Sequence, residues 1–542
     1  MQRRNVAILA FVVVVVAVCA VAAYGLDDGG NDGQGDYTQY FPDPITDEMR
    51  DRPSADEITS SLDVLLDDYI AVAVAEGSSQ DDIAEALRSY YEQYSWYLVQ
   101  QSVLVWDYYT DPATYGEEYV AWQSALTSVS SDFDDALRES LDGPNSDSAR
   151  HVIDTMLGEG TSARLESSES TTQEELDLLQ RESELAAAYN LAETPEEMAD
   201  IFLELIDVRN SLATLWGYDT YADYAYEVTY GRDYSPDDSD ALLSYVRDYA
   251  VPLVQAMSES GYTVQYDYDG TDQLYADASP FIHSISEGFG DLYDYMLENE
   301  LIDFEDVGTK VDAGFTNTMV TVWNKVVFIY CKPYNNSGDL TTLIHEFGHS
   351  AASGLNPAPL NDYDISEIQS QGLEALFAVS PLNPIEGDAD ASFISSMLSA
   401  IILGCVHDEF QQRAYASDAD SLEDLDMIYE GILTELGVST TQHWYSVYHT
   451  FALPFYYISY AVSAFNALEI FVDALDDYDA AVAEYLQVNQ YQEEGYIGMT
   501  EDLGMMNAFD EGDFAQIMGA LYEHLFGQMA DVQTYVAAAA EA

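Results

Sequence analysis

The sequence predicts a mainly α fold with a small β-sheet next to one of its helices. From about residue 54 to residue 300, apolar residues recur at three- and four-residue spacing, as in Ile58, Leu62 and Leu66. This is the pattern of amphipathic helices. Residues 326–330 are Val-Val-Phe-Ile-Tyr, the one segment with the β-branched and aromatic composition of a strand. Because a helical pattern restarts soon after it, we expect a strand that leads into a helix within an otherwise helical protein.

The charge balance argues against nucleic-acid binding. The chain carries 16 Lys and Arg against 99 Asp and Glu, a net charge of −83. Such a surface would repel phosphate backbones. Strong acidity with so few basic residues suits a protein kept soluble in salt or outside the cytoplasm, because counter-ions there screen the self-repulsion. The cysteines are too few and too scattered for a disulfide framework, although a bridge between Cys331 and Cys405 stays open.

The amino terminus predicts export. Arg3 and Arg4 precede an apolar run over residues 6–23, which would form about 27 Å of helix, nearly the thickness of a bilayer core. Basic residues before the run favour a cytoplasmic start, so we expect the chain after Tyr24 to be extracytoplasmic. Residues 20–22, Ala-Val-Ala, offer a cleavage site. A protein anchored in the cell membrane and a secreted protein are therefore both open.

We expect four parts along the chain. Residues 1–24 form the anchor or signal peptide, and residues 25–50 form a flexible tether that begins with a stretch rich in Asp and Gly. Residues 51–300 form an N-terminal helical domain. Residues 301–542 form a second domain, which contains the strand, the helix that follows it and the candidate site residues between 345 and 460.

One predicted helix carries the chemistry. His345, Glu346 and His349 form an H-E-x-x-H arrangement, which chance would produce in a chain of this composition about 0.02 times. Two imidazoles four residues apart share a helix face and can bind one Zn²⁺, while Glu346 can take a proton from a zinc-activated water. Apolar residues cover the opposite face, and we expect Asp339 to cap the start of the helix and Gly354 to end it.

A zinc hydrolase also needs a third protein ligand. Glu367 lies 22 residues beyond His345, and Glu374 follows it seven residues later on the same face of a predicted helix. One of the two carboxylates could bind the metal and the other could orient a histidine. Glu367 is the predicted ligand, and the role of Glu374 is left open.

The residues around His345 and Glu367 resemble those of the thimet oligopeptidase and oligoendopeptidase F family of zinc metallopeptidases. Residues 208–224 and residues 449–461, His-Thr-Phe-Ala-Leu-Pro-Phe-Tyr-Tyr-Ile-Ser-Tyr-Ala, are similar to two further family segments. The resemblance covers residues 190–530. It implies a zincin-type helical bowl with a deep channel that admits oligopeptides. It also implies roles for individual residues: His345, His349 and Glu367 as zinc ligands, Glu346 as general base, and His449, Tyr457 and Tyr460 facing the substrate.

The match is incomplete, and it leaves alternatives. Many family members have another His three residues after the second ligand, where this chain has Ala352. We expect a substrate to add as a strand beside residues 326–330.

The predicted function is an exported zinc metalloendopeptidase acting on oligopeptides. The alternatives are a zinc carboxypeptidase on a related scaffold and a non-catalytic peptide-binding surface protein.

Overall fold

The computed structural model describes residues 37–527 except 159, 168–171, 190–191, 322, 358–359, 361 and 494. The predicted anchor or signal peptide and the first part of the tether lie in residues 1–36, outside the described residues. The prediction of a mainly α fold is confirmed, because helices form most of the described chain.

Most of the helices precede the sheet. They are α1 (Asp47–Arg50), α2 (Ala55–Val74), α3 (Gln80–Thr110), α4 (Pro112–Asp142), α5 (Ser146–Leu157), α6 (Thr161–Ser167), α7 (Gln173–Tyr189), α8 (Pro195–Trp216), α9 (Tyr221–Tyr224), α10 (Pro236–Tyr245), α11 (Val251–Ser260), α12 (Thr271–Ile285) and α13 (Glu287–Glu298). Local signals set several of their starts, since Ser54, Ser79 and Thr194 each form a capping box with an acidic residue three positions on.

One short strand lies between α11 and α12, and the other strands and the remaining helices follow α13. The strands are β1 (Val264–Gln265), β2 (Ile302–Asp303), β3 (Gly314–Val320), β4 (Lys325–Cys331) and β5 (Glu386–Gly387). The later helices are α14 (Ser337–Gly354), α15 (Tyr363–Val379), α16 (Ala389–Tyr415), α17 (Leu422–Leu436), α18 (Tyr448–Ala452), α19 (Ile458–Asp476), α20 (Tyr478–Gln490), α21 (Tyr496–Leu503) and α22 (Glu511–Phe526).

Two hydrophobic cores lie inside this helical body. Helices α2 to α6 build the smaller core, and α1, α7 to α22 and the sheet build the larger one. Helix α3 joins them, because Tyr90 faces the smaller core while Val99 and Val103 face the larger. Near its end the Trp106 ring stacks on Phe328 of β4 at 4.6 Å. The larger core uses residues on both sides of residue 300, and the domain boundary there stays a prediction.

The sheet corrects the prediction made for residues 326–330. They do form a strand, β4, but it lies in the centre of the order β2-β4-β3. It pairs antiparallel with β3 from Gly314↔Cys331 to Val320↔Lys325 and parallel with β2 at Ile302↔Ile329. Because β3 occupies one edge of β4 along its whole length and β2 occupies the other edge at residues 329 and 330, we now expect a substrate to pair with β3 instead of with residues 326–330. Strand β3 lies beside α14, and among the described residues no strand pairs with its outer edge.

The predicted metal-binding helix is α14, and it starts earlier than expected. Asn336 is its N-cap and accepts a hydrogen bond from the Gly338 amide. Asp339, the predicted cap, is the third helical residue and completes the capping box by accepting from the Asn336 amide. Gly354 is the last helical residue, as predicted.

Two of the later helices, α16 and α19, are long and apolar enough to cross a membrane, judged over the described part of the chain. Half of the most apolar window of α16 and 78% of that of α19 is buried inside the protein. Packing in the larger core accounts for their composition.

Cys405 lies within α16 and Cys331 ends β4, and both are buried free thiols. The bridge left open between them does not form.

Candidate metal centre

Two helices that pack side by side, α14 and α15, supply the predicted ligands. Helix α14 presents His345 and His349 one turn apart, and α15 presents Glu367. Gly348 lies where the helices meet, since a Cβ built there would be 2.5 Å from the carbonyl oxygen of Gln369. A residue with no side chain is needed for so close an approach. Gly348 therefore lets α15 bring Glu367 to the two imidazoles.

The three side chains converge on one point. Glu367 Oε2 lies 3.6 Å from His345 Nε2 and 3.7 Å from His349 Nε2. The side chains of His345, His349 and Glu367 are 9%, 11% and 1% exposed. Ligand atoms that bind one tetrahedral ion at about 2.0–2.2 Å lie about 3.4 Å apart. The chemistry and the spacing of these donors therefore fit a divalent ion such as Zn²⁺.

Other residues hold the candidate ligands in place. Glu374 Oε1 accepts a hydrogen bond from His345 Nδ1 at 2.6 Å, which turns Nε2 of that ring toward Glu367. The hydroxyl of Tyr456 donates to Glu367 Oε1 at 3.1 Å, and that of Ser370 donates to Oε2 at 3.1 Å. Of the two carboxylates weighed from the sequence, Glu367 faces both imidazoles and Glu374 orients one of them.

Glu346 lies beside this cluster on the same helix. It is fully buried, and the hydroxyl of Thr316 on β3 lies 2.9 Å from its Oε2 and 2.7 Å from its backbone oxygen. Burial raises the pKa of Glu346 to about 7, although His345 and the Thr316 hydroxyl act in the opposite direction. A carboxyl group that titrates near neutral pH is suited to take up and release protons.

Charge is distributed unevenly around the ligands. Burial lowers the pKa of His345, but the hydrogen bond and charge of Glu374, with Glu346 and Glu367, outweigh it and raise the value to about 9. Burial and the charge of His345 hold the pKa of His349 well below its ordinary value. Three carboxylates thus surround His345, and their charge would be compensated by a divalent cation.

Residues 449–460, here called the tyrosine segment, lie against this cluster. The phenol of Tyr460 is close enough to Glu367 and Glu346 that their charges add to burial in raising its pKa. The ring of Tyr457 lies 4.9 Å from that of His407. Of the two predicted tyrosines, Tyr460 therefore faces the candidate ligands. Tyr457 packs beside His407, a buried histidine outside the candidate metal site.

His449 lies between the two tyrosines. Its ring centroid is 5.2 Å from that of Tyr457 and 6.0 Å from that of Tyr460, and the residue is 3% exposed. Burial, assisted by His407, lowers the pKa of His449 to about 3. The imidazole is therefore neutral at physiological pH, and any hydrogen bond that it donates is that of a neutral ring.

Sequence reasoning did not select two residues of the centre. Thr316 lies on β3, whose polar sequence gives a weak strand signal, and no motif marks it. Tyr456 was passed over because the resemblance implied roles for its neighbours Tyr457 and Tyr460. The helix begins only at Ile458, after Phe455 has turned the chain at a φ of +65°, so Tyr456 lies in the turn before the helix, where no helical pattern marks it.

Comparisons with known proteins bear on the family and the fold of this chain. No protein-family model matches the chain. Oligopeptidase PepF of Bacillus subtilis (strain 168) is 26% identical over 178 residues, which are 32% of this chain and 24% of that protein. The match thus spans about a quarter of the relative's length.

Solved structures match over nearly the whole chain. The structure of PZ peptidase A with inhibitor 2 has a TM-score of 0.68 at 18% identity, covering 89% of this chain and 99% of the other. An oligoendopeptidase F from Bacillus anthracis strain Ames has a TM-score of 0.66 at 18% identity, covering 90% and 99%. A carboxypeptidase of Pyrococcus furiosus is less similar, with a TM-score of 0.51 at 12% identity, covering 89% and 98%.

The chain therefore has the oligoendopeptidase F fold, and the resemblance of its sequence to the thimet oligopeptidase and oligoendopeptidase F family is confirmed.

Proposed function

We propose that this chain is a zinc metalloendopeptidase that hydrolyses oligopeptides. The observation that carries the proposal is the convergence of His345, His349 and Glu367 on one point, with the buried carboxyl group of Glu346 beside them. A metal ion bound there would polarise the peptide carbonyl and make a water molecule more acidic.

Each neighbouring group then has a role that its position supports. Glu346 takes a proton from the attacking water and passes it to the leaving amine. Thr316 orients this carboxylate through Oε2. Tyr460 keeps its proton, because its raised pKa leaves the phenol neutral, and it donates a hydrogen bond to the carbonyl oxygen as negative charge develops there. His449 packs against the ring of Tyr460 as a neutral imidazole.

The geometry favours an endopeptidase over a carboxypeptidase. A carboxypeptidase needs a cation to bind the terminal carboxylate of its substrate, and arginine is the side chain best suited to that. The two arginines next to the tyrosine segment are buried and form hydrogen bonds within the protein. Arg209 is bonded to Glu182, Tyr415 and a backbone carbonyl. Arg232 is likewise bonded to that segment. A peptide blocked at both ends distinguishes the two activities, since an endopeptidase still cuts it.

The substrate class follows from the sheet. The outer edge of β3, which carries Thr316, is available to pair with an extended peptide backbone. Pairing of this kind favours oligopeptides or unfolded segments as substrates.

We also propose that the enzyme acts outside the cytoplasm. This proposal rests on the basic residues and the apolar run that follows them within residues 1–23. Fractionation of cells that express the full chain tests this, because recovery in the cytosolic fraction would contradict export.

The activity is tested by substituting the proposed base. Glu346→Gln preserves size and should retain zinc and stability while lowering peptide hydrolysis by about 1000-fold or more, the combined scale of proton transfer and positioning. Glu430→Gln changes an exposed glutamate on α17 and serves as the matched control. If the Glu346 variant cleaves a quenched fluorescent peptide as fast as the control, Glu346 is not the base. If the wild-type chain binds the peptide and never cleaves it, the protein is a binding protein.

A further inference from the structure

A buried arginine connects the two halves of the candidate site. Arg232 follows the π-helical turn Ala225–Thr229, and its side chain is 1% exposed. It lies between the tyrosine segment and α15, the helix that carries Glu367. Arg232 makes contacts with both, and neither set of contacts includes a candidate metal ligand.

On the first side, Arg232 holds the turn of the tyrosine segment. Its Nη2 donates to the carbonyl oxygen of Phe455 at 2.9 Å and to Ser459 Oγ at 3.0 Å. The adjacent Tyr230 hydroxyl donates to the Pro454 carbonyl at 2.9 Å. Phe455 has a φ of +65°, in the left-handed region that disfavours a residue with a side chain. The donors that face this turn therefore stabilise a backbone conformation that is unfavourable by itself.

On the second side, Arg232 faces the start of α15. Its Nε lies 3.6 Å from Asp364 Oδ2, and the Asp364 side chain is 4% exposed. Asp364 precedes Glu367 by three residues, about one helical turn, so its position and that of Glu367 are linked through rigid backbone. The attraction between these buried charges is weakly screened. It draws the ligand-bearing turn of α15 toward the guanidinium group.

Three tyrosine rings fix the guanidinium group itself. The Arg232 Cζ lies 4.5 Å from the ring centroid of Tyr226, 4.4 Å from that of Tyr230 and 5.5 Å from that of Tyr234. Rings at these distances attract the cation and leave it little freedom to turn. A planar fork of donors suits this setting, and the flexible ammonium group of lysine cannot reproduce it.

We propose that Arg232 is a positioning residue that sets the distance between Glu367 and the tyrosine segment. It binds the carbonyl oxygen of Phe455, next to Tyr456, and lies beside Asp364, one helical turn before Glu367. It thus holds the two segments that the hydrogen bond from Tyr456 to Glu367 joins and thereby aligns the phenol of Tyr460 with the bound carbonyl. The inference rests on the proposed peptidase function. Because a displacement of about 1 Å at a catalytic group costs about 100-fold in rate, loss of this alignment should lower kcat and leave the metal bound.

The test compares Arg232→Lys with Arg247→Lys, a control at a half-exposed arginine paired with its neighbour Asp248. With a quenched fluorescent peptide, Arg232→Lys should lower kcat by about 10- to 100-fold and change KM by less than about 3-fold. Zinc content should equal that of the wild type. The control should leave all three values unchanged. Equal kcat for both variants would overturn the proposal.

A double-mutant cycle separates positioning from general destabilisation. If Arg232 acts through Tyr460, Arg232→Lys should cost less than about 3-fold in a Tyr460→Phe background, whereas independent effects multiply. Multiplicative effects would overturn the proposal. If Arg232→Lys fails to fold, Ser459→Ala removes one acceptor of Nη2 and should lower kcat by about 3- to 10-fold with the same loss of additivity; no change would likewise overturn it. If the wild-type chain with zinc is inactive, the proposed function itself has failed.

Discussion

The pair of helices α14 and α15 and the tyrosine segment face each other, and they are built in different ways. In the helix pair, the positions of the candidate ligands follow from spacing within each helix and from one glycine at the contact. In the tyrosine segment, a turn at Phe455 is fixed by Arg232, Tyr230 and Gln411, which belong to distant parts of the chain. Local spacing can define a metal site, whereas the groups opposite it depend on tertiary contacts.

The largest expected effect comes from separating the two helices. Gly348→Ala places a Cβ 2.5 Å from the Gln369 carbonyl oxygen, so α15 must shift and Glu367 must leave the imidazoles. We expect loss of zinc, loss of activity and a destabilisation of roughly 1–3 kcal/mol, typical of overpacking. Elemental analysis and thermal unfolding measure these effects.

Gly519→Ala is the matched control, because nothing lies within 4 Å of a Cβ at that position of α22. Alanine there should raise stability by about 0.5–1 kcal/mol through its helix propensity. If Gly348→Ala behaves like this control, the close approach of the helices does not define the metal site.

The next effect distinguishes the tyrosines of the segment. Tyr460→Phe removes the phenol that faces Glu367 and Glu346 and should lower kcat by about 100-fold, the scale of one lost oxyanion donor. Tyr457→Phe removes a phenol beside His407, so its kcat should stay within about 3-fold of the wild type. Steady-state kinetics on one peptide measure both. The reverse order would mean that Tyr457, to which the family resemblance also assigned a position facing the substrate, is the tyrosine at the substrate.

A smaller effect tests how the metal ligand is supported. Glu374→Gln weakens the bond that orients His345 and should lower zinc affinity by about 10- to 100-fold, as is typical of such partners. Competition with a chelator followed by activity measures the affinity. Unchanged affinity would mean that packing alone orients the imidazole.

The smallest effect concerns the far end of α19, the helix that starts within the tyrosine segment. Glu469 is 4% exposed and lies near Asp473 and Glu484. Burial, with the charges of these neighbours, raises the pKa of Glu469 to about 8. Between its unfolded value of 4.5 and 8, the folded protein holds a proton that the unfolded chain has lost.

This contribution to stability is complete below pH 4.5 and is lost as the pH rises through 8. Glu469→Gln removes the linked proton, so its melting temperature should fall less between pH 5 and pH 8.5 than that of the wild type. Parallel curves for the two proteins would contradict the assignment.

The same contrast explains how far sequence reasoning reached. His345, Glu346 and His349 were predicted because one helix places them, and Glu367 followed from its own helix. The N-cap was misplaced by three residues, because Asn336 and Asp339 share one capping box. The signal for a strand marked β4, the most buried strand, so the edge that a substrate can use was missed. Thr316, Tyr456 and Arg232 act through partners remote in sequence, which no local pattern encodes.

The zinc content of purified protein tests the central claim most directly. The wild-type chain and the Glu430→Gln control should each bind one zinc ion per chain, whereas Glu367→Ala should bind far less after dialysis against a weak chelator and should lose peptide hydrolysis. Full zinc occupancy in Glu367→Ala, or none in the wild type, would contradict the assignment of His345, His349 and Glu367 as one metal site.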